Sequence, residues 1–208
     1  MRTRMTVALL GVFGVLVACS DDQKTTPANA ATGGSSGSGG SDALASSIVI
    51  SEFSAVRQTE WFEVINVGDA TADLSDYALA DSDKATGVAR TDKAMRFPSG
   101  TSLAAGAHLV VITGQKDSEP GPHRDADCVL SGLKECYFAD FSISAANAES
   151  VHLLGPDDSV LVSTMYPATI AVDATQTDVS VCRVPDGSGD FELCTTTPGA
   201  ANKAAKSD

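Results

Sequence analysis

The sequence is poor in basic residues and in aromatic residues. It has 14 Lys and Arg against 27 Asp and Glu, a net charge of −13, and aromatic residues make up only 5% of its 208 positions. Nucleic-acid binding needs clustered Lys and Arg to neutralise phosphates, so the composition argues against nucleic acid as a partner. The hydrophobic content of 43% is too high for a wholly disordered chain. We therefore expect one ordinary domain with a tail and a targeting segment.

The spacings that mark catalytic and metal-binding sites are also missing from the sequence. The three histidines, His108, His123 and His152, are dispersed, and no two cysteines have the Cys-x-x-Cys spacing. A Gly-x-Ser-x-Gly match at residues 33–37 lies in a Gly/Ser tract, which supplies neither the strand nor the helix that a nucleophile elbow needs. The sequence therefore predicts a protein that is not an enzyme.

The N-terminus has the pattern of a secretory signal peptide. Arg2 and Arg4 precede an apolar run at residues 7–17, which is roughly half the length of a membrane-spanning helix. The run ends in Leu-Val-Ala-Cys at residues 16–19, which resembles a bacterial lipobox, where the cysteine is diacylated after cleavage before it. We expect residues 1–18 to be a lipoprotein signal peptide and Cys19 to be the lipidated residue. The alternative is an ordinary signal peptide that happens to carry a cysteine.

The residues after the lipobox bear on the location of the chain. Ser20, rather than Asp, follows Cys19, and by resemblance to enterobacterial sorting this favours the outer membrane. Cleavage removes Arg2 and Arg4, so the mature chain is even more acidic and is repelled by anionic membrane surfaces. The membrane is then a partner only through the lipid anchor. The expected location is the bacterial cell envelope as an outer-membrane lipoprotein, on the periplasmic or the surface face.

A tether is expected between the anchor and the folded part. Residues 19–46 begin with Cys19 and continue as a polar, Ala-, Gly- and Ser-rich segment, of which residues 33–41 contain only Gly and Ser. Such a segment cannot bury enough apolar surface to offset its ordering entropy. It is predicted to be disordered and to span roughly 30 Å.

From Ile48 onward the sequence has the two-residue alternation of β-strands. Turn signals rich in Gly, Pro, Asn and Asp separate short runs of apolar, β-branched and aromatic residues, and no long segment has a helical stripe. We predict an all-β sandwich or barrel over residues 47–202, followed by a disordered C-terminus at 203–208. The predicted strands are 48–53, 60–66, 77–79, 108–113, 137–143, 150–154, 160–166, 179–185 and 191–194.

Several of these segments occur in the order of a known family. They are residues 50–53 (Ile-Ser-Glu-Phe), 60–66 (Glu-Trp-Phe-Glu-Val-Ile-Asn), 72–79, 97–111, 151–154, 183–189 and 197–202 (Thr-Pro-Gly-Ala-Ala-Asn). Together they resemble the lamin-tail domain, an immunoglobulin-like β-sandwich of nuclear lamins and many bacterial secreted proteins.

The resemblance implies a non-catalytic binding or structural module with an unknown protein or polysaccharide ligand. The basic surface with which lamin tails associate with DNA has no counterpart in this acidic body. Bacterial lamin-tail domains often accompany hydrolases or nucleases, so the alternative function is a small calcium-dependent hydrolase or a nuclease-accessory protein.

Four cysteines remain once Cys19 is set aside: Cys128, Cys136, Cys182 and Cys194. An even number in an exported chain predicts two disulfides with three conceivable connectivities, and pairing between sequence neighbours is favoured. A hairpin centred on Ser188 would place Cys182 directly opposite Cys194. The other pair would close a polar surface loop within residues 115–137.

The same hairpin would place Asp186 opposite Asp190, with Ser188 between them and Glu192 two residues on. Facing carboxylates repel, and a Ca²⁺ ion would relieve the repulsion because it prefers oxygen ligands. The alternative is a solvated turn of residues that favour turns, with no cofactor. Asp73, Asp76, Asp81 and Asp83 form a second acidic cluster with the same two interpretations.

Overall fold

The computed structural model describes residues 44–55, 59–124, 128, 130, 132–144, 148–170, 172 and 178–206. The predicted signal peptide, Cys19 and the tether up to residue 43 lie outside the described residues. Residues 44–47 form a single helical turn, and Leu44 is buried in the core. The folded body therefore begins earlier than the predicted boundary at residue 47.

The described residues contain fourteen strands and one short 3₁₀ turn at Thr91–Lys93. The strands are β1 (Ile48–Ser54), β2 (Trp61–Asn66), β3 (Ala72–Asp73), β4 (Ala78–Asp81), β5 (Met95–Arg96), β6 (Ser102–Leu103), β7 (His108–Ile112), β8 (Gly121–Arg124), β9 (Glu135–Phe138), β10 (Ser150–Leu154), β11 (Val160–Met165), β12 (Val179–Val184), β13 (Asp190–Thr195) and β14 (Lys203–Ala204).

The strands form an immunoglobulin-like sandwich. The larger sheet has the order β14-β13-β12-β1-β2-β7-β9-β8, the smaller sheet has the order β11-β10-β4-β5, and β3 pairs with β6 alone. All pairs are antiparallel except β7 with β9. The predicted all-β sandwich is confirmed.

Alternation along β2 divides its side chains between two apolar layers. Phe62 and Val64 lie in the main core, where Phe62 packs against Phe53 and Phe141, while Trp61 belongs to a separate cluster. Successive side chains of a strand point to opposite faces of the sheet, so Trp61 lies on the outer face of the larger sheet.

The C-terminus differs from the prediction. Lys203 and Ala204 form β14, which pairs with Cys194 and Thr195 at the end of β13. The predicted disorder over residues 203–208 is therefore wrong for residues 203–204. A two-residue strand carries no period-two signal of its own, because its pairing depends on where β13 lies.

Candidate functional site

Two segments cover the outer face of the larger sheet, and the first is the insertion at residues 115–137. Its Cys128–Cys136 disulfide packs with Trp61, Val110, Ile112 and Phe138, and Leu130 and Leu133 add to this cluster. Both cysteines are buried. The prediction of a polar surface loop is therefore wrong, because the charged first half of the insertion is followed by apolar residues that cover Trp61.

Beneath the second segment lie two glutamates that face each other across β1 and β2. Glu52 is the register partner of Glu63, and both side chains are fully buried. Ser51 Oγ donates to Glu63 Oε1 at 3.0 Å, and the Gly199 N–H donates to Glu63 Oε2 at 2.6 Å. Glu52 accepts hydrogen bonds from the N–H and Oγ1 of Thr197, at 3.1 and 2.9 Å. The two carboxyl groups therefore hold one loop of backbone against the sheet.

We call this loop, residues 197–202, the C-terminal strap. Its far end is fixed by Asn202, whose Nδ2 donates to Ser51 O at 3.0 Å and to Arg183 O at 3.1 Å. Gly199 has φ +76°, and a Cβ there would lie 2.8 Å from Leu133 Cδ2 of the insertion. The strap and the insertion therefore meet over the outer face, and their junction requires glycine at this position.

Burial controls the protonation of these glutamates. Burial, with a smaller contribution from the nearby charges of Glu52 and Asp186, raises the pKa of Glu63 to about 8 against the hydrogen bonds from Gly199 and Ser51. Burial also raises the pKa of Glu52, against its hydrogen bonds with Thr197. Glu63 is therefore largely protonated at neutral pH, which removes the repulsion that two facing carboxylates would have.

His108 lies beside Glu63, among the polar side chains beneath the C-terminal strap. Its Nε2 lies 2.9 Å from Asp186 Oδ2 and 3.8 Å from Glu63 Oε1. Asp186 is therefore the carboxyl group within hydrogen-bond distance of the His108 ring. Asp186 Oδ2 also accepts the Asn202 N–H at 3.2 Å, which ties the β12–β13 hairpin to the strap.

The register of that hairpin differs from the prediction. Cys182 pairs with Glu192 and Val184 pairs with Asp190, so the hairpin is centred on Gly187 rather than on Ser188. Gly187 has φ +66°, and the N–H groups of Ser188 and Gly189 both donate to Pro185 O, which closes the turn around residue 187. The prediction that Cys182 lies directly opposite Cys194 is wrong.

Both predicted cysteine pairs are nevertheless confirmed. The Cα atoms are 5.8 Å apart in Cys128–Cys136 and 5.8 Å apart in Cys182–Cys194. Since Cys194 pairs with Ser180 in the sheet, the second disulfide runs diagonally between β12 and β13.

The observed register of the β12–β13 hairpin separates the residues that were predicted to bind calcium. Asp186 turns towards His108 and Asn202, whereas Ser188, Asp190 and Glu192 are exposed. Asp186 does not face Asp190, since Val184 takes that place. Within the described ranges, no three His, Cys, Asp or Glu side chains are placed to hold a metal ion.

The second acidic cluster is dispersed over separate local contacts. Asp73 accepts the Ser75 N–H, and Asp83 accepts the Ala85 and Thr86 N–H groups, and these hydrogen bonds lower the pKa of both aspartates. Of the other two residues in the cluster, Asp76 adopts φ 66° in its turn, while Asp81 is buried and lies 3.7 Å from Arg90. Asp73, Asp76 and Asp83 therefore belong to local turns, and Asp81 belongs to an ion pair with Arg90.

The other two histidines have structural partners. The His123 ring stacks on Phe138 with centroids 3.7 Å apart, and His152 Nδ1 lies 2.7 Å from Ser163 Oγ. Burial lowers the pKa of His152. Both contacts place the rings against neighbouring strands.

Two open grooves offer surface to a ligand. One, of about 440 Å³, lies beside Leu44 and Ser47 and is bounded by residues 68–73 and Tyr77. The other, of about 430 Å³, lies between residues 98–102 and the side chains of Glu135 and Tyr137. The lining of the first groove is more apolar than polar, whereas serine and threonine side chains and Glu135 give the second a lining that suits polar ligands.

Sequence reasoning missed Glu52 and Glu63 as members of a site. Glu63 occupies an outward position of β2, which normally faces water, and Glu52 reaches the same face through the bulge between Ile50 and Glu52. The one signal available was a pair of acids in neighbouring strands together with the unplaced Thr-Pro-Gly segment at residues 197–199.

The comparisons with known proteins agree with this architecture. In the part of the chain that the structure describes, no helix is long and apolar enough to cross a membrane. No curated protein matches the chain. The family model of the Lamin Tail Domain matches residues 41–166, from the helical turn to the end of β11, and β12 to β14 complete the larger sheet beyond that range. Because this match spans more than half of the sequence, the chain belongs to the Lamin Tail Domain family.

Proposed function

We propose that this chain is a lipid-anchored protein of the bacterial cell envelope that displays a non-catalytic module for binding or scaffolding. The proposal of a non-catalytic binding or scaffolding module rests on the hydrogen bonds that the acidic residues beneath the C-terminal strap make. Glu52 and Glu63, which are fully buried, and Asp186, which is partly exposed, hold the C-terminal strap and the β12–β13 hairpin in place. Their role is architectural, as expected for an immunoglobulin-like module.

The anchoring half of the proposal is supported by the sequence. Positive charge, a short apolar run and Leu-Val-Ala-Cys at residues 16–19 occur in the order of a lipoprotein signal. The folded body is acidic, so it has no electrostatic attraction to anionic lipids. Diacylation of Cys19 would supply the attachment, and the Gly/Ser-rich tether would hold the sandwich away from the bilayer.

The ligand would be a protein or a polysaccharide bound along the surface. The groove at residues 98–102 presents the Ser99 and Ser102 side chains beside Glu135, which suits hydrogen bonding to amide or hydroxyl groups. It is open rather than enclosed, which fits an extended polymer better than a small molecule.

The anchor is tested by replacing Cys19 with Ala. Wild-type protein should incorporate radiolabelled palmitate and stay with membranes through a high-salt wash, because a lipid anchor is insensitive to salt. The C19A variant should lose the label, and a Ser20→Ala variant is the matched control that should keep it. Salt-resistant membrane association of wild-type protein without label would refute the anchor.

A further inference from the structure

Three of the four edges of the two larger sheets carry features that discourage pairing with another chain. Beyond its short pairing with β14, β13 carries Asp190 and Glu192. The edge strand β8 contains Pro122, which has no N–H to donate, and β5 has only two residues. Charge, proline and short length are the usual protections of an exposed strand edge.

The fourth edge, β11, has no such protection except for one irregularity. Its sequence, Val-Leu-Val-Ser-Thr-Met, contains no charge and no proline, and Val160 and Met165 are 49% and 61% exposed. Among the described strands, β10 is its only partner. The register shifts opposite Leu161, which leaves a regular pairing edge from Val162 to Met165.

The hydrogen-bonding pattern shows which backbone groups of β11 face outwards. The Tyr166 N–H donates to Glu149 O at 2.8 Å, so the backbone N–H and C=O groups of Tyr166 point towards β10. In an antiparallel ladder this direction alternates from residue to residue. Val162 and Thr164 therefore also pair towards β10, while the N–H and C=O groups of Ser163 and Met165 point away from the sheet.

We propose that two copies of this chain associate by antiparallel pairing of their β11 strands, which joins two four-stranded sheets into one sheet of eight strands. Outward-pointing residues must face each other in such a pair. The register centred on Ser163 meets this condition, because Ser163 then faces Ser163 of the second copy, and Val162 faces Thr164 with the N–H and C=O groups of both turned towards their own β10. A two-fold axis makes the contact self-complementary. This proposal concerns the sandwich and stands whether or not Cys19 is lipidated.

The local charges permit this contact between two acidic molecules. The acids next to β11 in sequence are Asp157 and Asp158 at its start, and Asp158 already pairs with Arg96. Glu149 lies beside the end of the strand, but its side chain is buried and pairs with Lys84. In the antiparallel arrangement the start of one strand meets the end of the other, where residues 166–170 carry no charge. Only the long-range repulsion between two negative bodies remains, and salt screens it. Self-association should therefore strengthen with salt, whereas binding of a basic peptide to the same edge would weaken.

The size of the contact sets the expected strength. A regular edge of four residues buries less than the roughly 1,200 Å² of a standard stable interface. Association should therefore be weak and reversible, with monomers at about 10 µM and dimers appearing at about 500 µM.

Sedimentation velocity of the purified full chain over that concentration range, at low and high salt, tests the proposal. Wild-type protein should shift towards the dimer with concentration and with salt. Met165→Lys places a charge on the edge and should weaken association by about tenfold or more. Val88→Lys is the matched control, since Val88 is 64% exposed in the loop between β4 and β5, and this variant should dimerise like wild type.

A cross-link tests the register. In a Cys19→Ala background, which removes the fifth cysteine, Ser163→Cys should form a covalent dimer under mild oxidation, and Val88→Cys should not. The proposal is overturned if wild-type protein stays monomeric throughout, if Met165→Lys dimerises as well as wild type, or if Ser163→Cys fails to cross-link in a dimer that forms. Association that weakens with salt would also overturn it, because that result indicates contact between opposite charges.

Discussion

Replacing Glu63 by Gln should remove a large part of the pH dependence of folding stability. The pKa of Glu63 is about 8 in the folded chain, against an ordinary value of 4.5. Between these two pH values the folded state holds a proton that the unfolded state has released, so the free energy of unfolding falls as pH rises. The stabilisation is complete below about pH 4.5 and is lost progressively as pH approaches 8.

The magnitude follows from the size of the pKa difference. One pKa unit corresponds to about 1.4 kcal/mol, so the loss attributable to Glu63 is of the order of 4 kcal/mol across this window. Gln stays neutral at every pH. Its Oε1 can accept the Gly199 N–H, and its Nε2 can donate to Ser51 Oγ, so both contacts of Glu63 are kept. The variant should match wild type near pH 5 and exceed its stability near pH 8.

Denaturant unfolding at several pH values measures the effect. Trp61 is the only tryptophan and is buried beside the insertion, so its fluorescence reports unfolding. The informative quantity is the difference between variant and wild type, because the raised pKa values of Glu60 and Asp81 contribute to both, whereas the titration of Glu52 is coupled to that of Glu63 and belongs to the measured difference. Glu192→Gln, at an exposed position of β13, is the control and should leave the pH profile unchanged. A difference between E63Q and wild type that does not grow with pH would refute a neutral Glu63 in the fold.

Three further outcomes are expected. Gly199→Ala should lower the free energy of unfolding by about 1–3 kcal/mol in a denaturant titration, because alanine is strained at positive φ and its Cβ would meet Leu133; unchanged stability would show that the strap moves freely. Double Cys→Ser replacement of either disulfide should cost comparable amounts, on the order of 3 kcal/mol, because both pairs are buried; a negligible cost for Cys128–Cys136 would contradict the packing of the insertion. Deleting residues 20–43 should leave the melting temperature unchanged, whereas a deletion that includes Leu44 should lower it, since Leu44 lies in the core; equal melting temperatures for the two deletions would contradict that role.

Local patterns in the sequence were enough to predict the fold class and the positions of most of the longer strands along the chain. Alternation of apolar and polar residues with turn residues between them marks β2, β7, β10 and β12, because each strand has one face or both faces in an apolar layer. Cysteine count and spacing were enough to predict both disulfides, since neighbours in a hairpin are close in any register near the observed one. The lipobox is likewise local, and it stays a prediction.

The tertiary structure alone decided the register of the last hairpin and the character of the outer face. A shift of the turn centre from Ser188 to Gly187 changes every cross-strand partner, and it depends on which glycine adopts a positive φ. Alternation assigns Glu63 to solvent, and a bulge in β1 turns Glu52 to the same face. They are buried because a strap more than a hundred residues away in sequence covers them. The alternation of apolar residues along a strand predicts which face of the sheet packs in the main core. It does not predict whether a segment distant in sequence will cover the opposite face.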